Sequence, residues 1–148
     1  MFTMEYDFSA MPCYGMKTKW AAAAISGYYD QFMKPCGITG RQFNFLCLLN
    51  RNGGCSAREL ADITRVDKST LARNLKLLMS KDLVVDLKAP NERNSKLSLT
   101  PTGKNTLAAA LIQWKAAQES LKQRFGEQEL ALVDKVLAEI GSLSMVKN

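Results

Sequence analysis

Residues 67–82 read DKSTLARNLKLLMSKD, and this stretch has the pattern of one amphipathic helix. At about 100° per residue, one face collects the apolar side chains of Leu71, Leu75, Leu78 and Met79. The opposite face collects two cations and two hydroxyls, which belong to Ser69, Arg73, Lys76 and Ser80. Asp67 is a suitable N-cap, and Lys81 lies where the helix dipole favours a cation. The stretch therefore predicts a helix that packs with one face and presents the other.

A short helix should precede this one. The segment SARELADI, residues 56–63, has Ser56 and Glu59 at the S-x-x-E spacing of a capping box. A turn at residues 64–66 then separates the two helices. Together the three parts predict a helix-turn-helix.

After Asp82 the apolar period changes from 3.6 to 2, which predicts strands. The first segment places Leu83, Val85 and Leu87 on one face, and the second does the same with Leu97 and Leu99. The connecting loop APNERNS, residues 89–95, carries Arg93 at a solvent-facing tip. A helix-turn-helix followed by such a hairpin is a winged helix. Thr100 and Pro101 then suit the N-cap and first position of a new helix.

Helices are also predicted on both sides of this unit. Residues 14–33 form one that Pro35 and Gly37 end, and a second, apolar around most of its circumference, runs from Thr39 to the stop at residues 53–54. Two C-terminal helices, separated at Gly126, carry apolar stripes: Leu107, Leu111, Trp114, Leu121 and Phe125, then Leu130, Val133, Leu137 and Ile140. A winged core of about 60 residues has little room to cover them. We therefore expect a homodimer, the alternative being a compact monomer whose helices fold back.

The expected fold class is mainly α with a small β-hairpin, an α+β winged helix-turn-helix. Residues 1–38 would form an N-terminal dimerisation helix, residues 39–100 the winged unit, and residues 101–148 the C-terminal dimerisation helices.

The positive charge is concentrated in the middle of the chain. Residues 51–104 hold 11 Lys and Arg against 6 Asp and Glu, a net of 11 − 6 = +5 out of +6 for the whole sequence. A basic segment between nearly neutral ones is typical of a module that meets a polyanion. The alternative is an ordinary solvated charged face.

Composition argues against several other classes. The 148 residues include no His, no C-x-x-C pair among four cysteines, and no glycine-rich phosphate loop, so we expect neither an enzyme, nor a metal site, nor a cofactor. The first residues, MFTMEYDFSAMP, lack the basic and apolar regions of a signal peptide. No apolar run approaches the ~18 residues of a membrane span, so a cytoplasmic protein without a membrane partner is expected.

In this order and spacing, three segments resemble the MarR family of bacterial winged-helix transcription regulators: GITGRQFNFLCLL, ARELADITRVDKSTLARNLKLLMSKDLV and NERNSKLSLTPTGK. The resemblance covers nearly the whole chain. It implies a dimerisation region built from both chain ends, two DNA-reading lobes, and regulation by a small ligand or by cysteine oxidation. Two positions depart from the family pattern. Asn91 stands where an Asp often pairs with the wing arginine, and Asp82 stands where Gly is favoured at the helix stop.

The candidate DNA-binding residues belong to the helix and the wing. Arg73 matches the family position that reads a base, and a guanidinium can donate two hydrogen bonds to guanine. Lys68 and Lys76 suit phosphates, whereas Ser69 and Thr70 either bind DNA or merely begin the helix. Arg93 matches the wing arginine and suits the minor groove or a phosphate. The expected partner is a pseudo-palindromic double-stranded operator.

Release from DNA has two candidate triggers. A small apolar or aromatic effector could bind among Trp20, Tyr28, Tyr29 and Trp114, although such residues are more often core. Alternatively, Cys13 could be oxidised and capped by Cys36, because the family's peroxide-sensing branch has a cysteine at a comparable position and a helix N-terminus with Lys17 nearby favours a thiolate. That branch has a tyrosine where Lys17 stands, and the alternatives are an inert Cys13 or another modification of it. We expect a ligand-released repressor; the alternatives are a thiol-based regulator and a winged helix used for protein interaction.

Overall fold

The computed structural model describes residues 7–51 and 53–143. These ranges contain six α-helices: α1 Tyr14–Met33, α2 Gly40–Arg51, α3 Ala57–Thr64, α4 Lys68–Ser80, α5 Pro101–Phe125 and α6 Glu127–Leu143. Strands β1 Val84–Asp86 and β2 Leu97–Leu99 form an antiparallel pair, and 3₁₀ turns occupy Phe8–Ala10 and Lys34–Cys36. The predicted fold class, mainly helical with a winged helix-turn-helix, is confirmed.

Helix α2 lies at the centre of the core, as its apolar run predicts. Its buried residues are Gln42, Phe43, Phe45, Leu46 and Leu49. Thr39 caps the helix reciprocally with Gln42: the Gln42 N–H donates to Thr39 Oγ1 at 3.2 Å, and the Thr39 N–H donates to Gln42 Oε1 at 3.1 Å. This capping box of the form T-x-x-Q was visible in the sequence and was missed.

The helix-turn-helix forms where it was predicted. The Glu59 N–H donates to Ser56 Oγ at 3.1 Å and the Ser56 N–H donates to Glu59 Oε2 at 2.7 Å, which confirms the capping box of α3. The chain leaves α3 through Arg65 in the left-handed region, at φ 54°. Asp67 then caps α4.

The hairpin forms as predicted, but the face assigned to its first segment was wrong. Leu83 and Val84 are both buried, whereas Val85 and Leu87 are exposed, Leu87 by 60%. The reason lies just upstream, where Asp82 takes the left-handed conformation at φ 57°, as expected of a helix stop. The chain turns there, so regular alternation begins only at Val84, which pairs with Leu99.

Helix α5 starts against the hairpin. Thr100 caps it and Pro101 occupies its first position, as predicted. A Cβ added at Gly103 would lie 2.0 Å from the Leu83 carbonyl oxygen, so only glycine allows this approach. Farther along, α5 packs on α1 and α2, where the Phe43 and Trp114 rings stack with centroids 6.5 Å apart.

Helix α6 has no buried side chain. Its exposed apolar residues include Leu132, Val133, Val136, Leu137, Ile140 and Leu143. On α5, Leu111 and Phe125 of the predicted stripe are exposed as well, although Leu107 is buried. Within the described ranges, no helix combines the length and hydropathy that crossing a bilayer requires.

Candidate nucleic-acid interface and ligand cleft

Helix α4 divides into an inner and an outer face. Leu71, Leu75 and Leu78 are buried in the core, whereas Met79, predicted to join them, is 38% exposed. At about 100° per residue, Met79 lies at the edge of the stripe that the three leucines form, which leaves it partly exposed. The outer face is as predicted, because the four polar residues Ser69, Arg73, Lys76 and Ser80 are all exposed. Lys68, in the first turn, is exposed too.

The first turn of α4 is organised around the Asp67 carboxylate. It accepts from Thr70 Oγ1 at 2.6 Å, from Ser69 Oγ at 2.7 Å and from the Thr70 N–H at 2.8 Å. These bonds, the Thr70 hydroxyl above all, hold the pKa of Asp67 far below its usual range. The Thr70 oxygen also accepts from Arg73 Nη2 at 3.3 Å. Both hydroxyls thus take part in the helix start, and Thr70 contacts the candidate base-reading residue.

The wing is tied to the body of the winged helix at its stem. The Asp86 carboxylate accepts from the Lys96 N–H at 2.8 Å and the Lys88 N–H at 3.1 Å, and these bonds, led by the one from Lys96, lower the pKa of Asp86. Ser95 Oγ accepts from the N–H of Ala57, at the start of α3, at 2.7 Å. Arg93 is exposed at the tip between these anchors. The wing is therefore stabilised by hydrogen bonds that backbone N–H groups donate. Asn91 stands where the family pattern has an Asp that pairs with the wing arginine.

Two cations on this stem were not singled out from the sequence. Lys88 and Lys96 are both exposed at the base of the loop. The signal that could have found them is the alternation of the hairpin, which places them at positions flanking Arg93. They add to the positive charge of the wing.

A side-chain contact between α2 and α4 was also missed. Gln42, only 4% exposed, donates from Nε2 to Asn74 Oδ1 at 3.2 Å. Asn74 in turn donates from Nδ2 to the Thr70 carbonyl at 2.9 Å. Sequence offers no direct signal for this pair, because the residues are 32 positions apart.

A cleft of about 980 Å³ opens between the helices of the winged unit and α1. Tyr29 and Trp114 line it, as two of the four predicted ligand residues, together with Phe43, Cys47 and Asn74. Trp20 and Tyr28 do not line this cleft. Tyr28 packs instead on Phe32, with ring centroids 5.1 Å apart. Burial raises the pKa of Tyr29, whose hydroxyl donates to Gln118 Oε1 on α5.

The cysteines are distributed along the fold. Cys13 is exposed at the N-cap of α1, whereas Cys36 follows the other end of this 20-residue helix. At 1.5 Å per residue the helix separates them by about 30 Å, and a disulfide needs Cα atoms within about 7 Å. The predicted capping of Cys13 by Cys36 is therefore wrong within one chain. Cys47 is half-buried at the cleft, where burial raises the pKa of its thiol.

Comparison with known proteins finds a family model that the winged unit matches. Residues 37–93 match the model of the MarR family. The multiple antibiotic resistance protein MarR of Salmonella typhimurium is 33% identical over 75 residues, which are 50% of this chain and 52% of that protein. The chain thus spans about half the length of the curated relatives it matches. The winged unit is therefore similar to the MarR family.

Solved structures of transcription regulators extend the likeness beyond the matched segment. The Mycobacterium tuberculosis transcriptional regulator MosR, in a complex with DNA, is 26% identical, with a TM-score of 0.77 over 90% of this chain and 96% of that one. The transcriptional repressor CouR, bound to a 23-mer DNA duplex, is 25% identical, with a TM-score of 0.79 over 87% and 92%. A MarR variant from E. coli with operator DNA, 23% identical at a TM-score of 0.76 over 85% and 91%, shares the fold.

Proposed function

We propose that the chain is a dimeric, sequence-specific DNA-binding transcription regulator that acts as a repressor. The observation that carries this proposal is α4, where Leu71, Leu75 and Leu78 are buried while the opposite face exposes Ser69, Arg73, Lys76 and Ser80. The similar MosR and CouR structures hold DNA, which supports the same partner here.

In this proposal each candidate residue has a defined role. Arg73 reads guanine O6 and N7 in the major groove, and Lys68 and Lys76 neutralise phosphates beside it. The Ser69 and Thr70 hydroxyls secure the helix start. Arg93 contacts the minor groove or a phosphate from the wing.

The proposed dimer uses the helices outside the winged unit. The division at residues 1–38, 39–100 and 101–148 gives each protomer one reading lobe and two ends that pack on its partner. The exposed apolar row on α6 supports this arrangement, because monomeric proteins rarely leave such a row uncovered. A two-fold dimer would meet half-sites about one helical turn apart.

Release is proposed to follow binding of a small aromatic or apolar molecule in the cleft. Tyr29, Phe43 and Trp114 offer ring surfaces, and Asn74 offers an amide. Aromatic walls together with polar groups that fix orientation are typical of ligand sites, and Asp30 and Arg41 add charged groups to this lining. The cleft borders α4 through Asn74, so an occupant lies next to the reading helix.

An exposed thiol favours one second candidate, release by oxidation of Cys13. In a single chain Cys36 is out of reach, so a disulfide would have to join two protomers or involve a small thiol. Organic hydroperoxide should then lower operator affinity at least tenfold, and a Cys13→Ser variant should ignore the oxidant. An equal response of parent and variant would exclude this candidate.

The proposed DNA binding is tested by selecting preferred duplexes from a random library with the full chain. We expect a pseudo-palindrome to emerge, bound with a log K that falls against log salt with a slope of roughly 5 or more per dimer. Lys76→Ala should reduce this slope by about 1 per protomer. Lys115→Ala removes the same charge from an exposed site on α5 and should leave the slope unchanged. Failure to enrich any duplex, or a flat salt dependence, would contradict the proposal.

A further inference from the structure

The hydrogen bonds of Gln42 and Asn74 have a defined direction from donor to acceptor. Gln42 Oε1 accepts from the Thr39 N–H, which leaves the Gln42 Nε2 group to donate. Asn74 Nδ2 donates to the Thr70 carbonyl, which leaves the Asn74 Oδ1 atom to accept. The remaining donor and acceptor meet at 3.2 Å. Each amide therefore has one orientation that satisfies its partners, and flipping either would place like groups against each other.

This pair acts close to the proposed base-reading residue. Thr70 is held at its carbonyl by Asn74 and at its hydroxyl by Asp67 and Arg73. Gln42 is buried in the core and is fixed to the start of α2 by the capping box. A continuous set of hydrogen bonds therefore runs from the core, through α4, to the Arg73 guanidinium.

Burial of the leucine face fixes the rotation of α4 about its own axis less narrowly than these hydrogen bonds do. Apolar burial is non-directional, so small turns of the helix about its axis change little of the buried area. Hydrogen bonds between two amides depend on angle as well as distance. Reading a base edge requires placement within about 0.5 Å, whereas a phosphate contact by a flexible lysine tolerates more.

We propose that Gln42 and Asn74 are positioning residues that set the rotation of the reading helix and thereby its sequence specificity. The inference rests on the proposed DNA-binding function. Neither residue contacts DNA in this scheme. Loss of the pair lowers affinity for the selected operator while leaving affinity for random DNA nearly unchanged.

The test compares Asn74→Leu and Asn74→Asp with the parent on the selected operator and on random duplex. Leucine removes both hydrogen bonds of the amide, whereas aspartate keeps the bond from Gln42 and loses the one to Thr70. We expect both to lower the operator-to-random affinity ratio at least tenfold. The matched controls are Asn44→Leu and Asn44→Asp, because Asn44 is exposed on α2, lines the same cleft, and makes no side-chain hydrogen bond within the described ranges. Asn44→Asp also measures the general effect of one added negative charge.

A structural role alone would reduce stability without changing the ratio, so thermal unfolding is measured on the same samples. If Asn74→Leu fails to fold, Asn74→Asp and Gln42→Glu remain; the latter keeps the oxygen that caps Thr39 and loses the amide donor. An unchanged ratio in the folded variants would overturn the inference.

A second readout uses Arg73. In the Asn74→Leu background, Arg73→Ala should cost less operator affinity than in the parent, because the guanidinium is no longer held in its reading position. If Arg73→Ala instead lowered operator affinity by the same factor in the Asn74→Leu background as in the parent, the inference would be overturned. A parent protein that binds no DNA, or that binds all duplexes equally, would refute the proposed function instead.

Discussion

Arg73 is the single residue on which sequence recognition is proposed to depend most. It is exposed at the middle of α4 and is held by Thr70. Because a bidentate contact to guanine discriminates by about 1–3 kcal/mol, Arg73→Ala should lose that much on the operator and little on random DNA. Competition binding with both duplexes measures the difference. Lys76→Ala, its matched control on the same face, should weaken both duplexes alike, and equal losses for Arg73→Ala would make Arg73 a phosphate contact.

Asp67 gives a pH-dependent prediction at the same scale. Its three hydrogen bonds depress the carboxyl pKa below the ordinary 3.8, so they stabilise the folded state when the group is ionised. This contribution is complete above 3.8 and is lost as the pH falls through the lower folded-state pKa. Asp67→Asn keeps an acceptor for the N-cap but carries no charge. We expect the parent to melt at a higher temperature than the variant at pH 7.

The gap between parent and variant should narrow as the pH falls below 3.8, because protonation makes the two side chains alike. Thermal unfolding followed by circular dichroism at several pH values measures it. A gap that stays constant down to about pH 2 would show that the charge of Asp67 is not what stabilises the helix start.

At the scale of helices and strands, the sequence predicted where these elements begin and end better than which of their side chains are buried. The caps at Ser56, Asp67 and Thr100 are local patterns of adjacent residues, and all three were found. The face of β1 was assigned wrongly because one left-handed residue, Asp82, shifts the alternation. Such a shift depends on how the chain leaves α4, which periodicity alone does not encode.

Gly103 provides the prediction at this scale, because it lets the start of α5 lie against the end of the α4–β1 connection. A Cβ there would lie 2.0 Å from the backbone oxygen of Leu83. The backbone cannot move aside as easily as the end of a flexible side chain can. We expect Gly103→Ala to lower the free energy of unfolding by about 3 kcal/mol. Denaturant unfolding measures this change.

Gly141→Ala is the matched control within α6. A Cβ at Gly141 meets nothing within 4 Å, so alanine should raise stability by about 0.5–1 kcal/mol through its higher helix propensity. If both substitutions were equally harmless, the close approach of α5 to Leu83 would not be the reason for glycine at position 103.

For the whole molecule, the fold class could be predicted because each element has its own pattern and the order of elements is that of a winged helix. The cleft could be predicted only in part. Tyr29 and Trp114 line it, but Trp20 and Tyr28 do not, since which side of α1 borders the cleft depends on how α1 packs on α5. The Gln42–Asn74 contact was missed for the same reason. It joins distant positions that only tertiary packing brings together.

The α6 surface leads to a prediction about assembly. Leu137 and Ile140 are exposed in the single chain and lie about one turn apart on the same side of the helix. If they pack on a second copy, changing both to Glu should leave the winged unit folded and make the protein monomeric at micromolar concentration. Operator affinity should fall steeply, because two lobes no longer bind as a unit. Sedimentation equilibrium and competition binding measure the two effects.

Lys135→Glu is the matched control, because it changes the net charge by the same −2 from an exposed position on α6 without removing apolar surface. This variant should remain dimeric. Its loss of operator affinity should be no larger than the loss of affinity for random DNA that the added negative charge causes. A double variant of Leu137 and Ile140 that still sediments at twice the chain mass would place the interface elsewhere. A monomer that binds the operator as tightly as the parent would instead show that recognition does not require the dimer. The expectation of a pseudo-palindromic operator would then have no physical basis, because that expectation follows from the two-fold symmetry of a dimer.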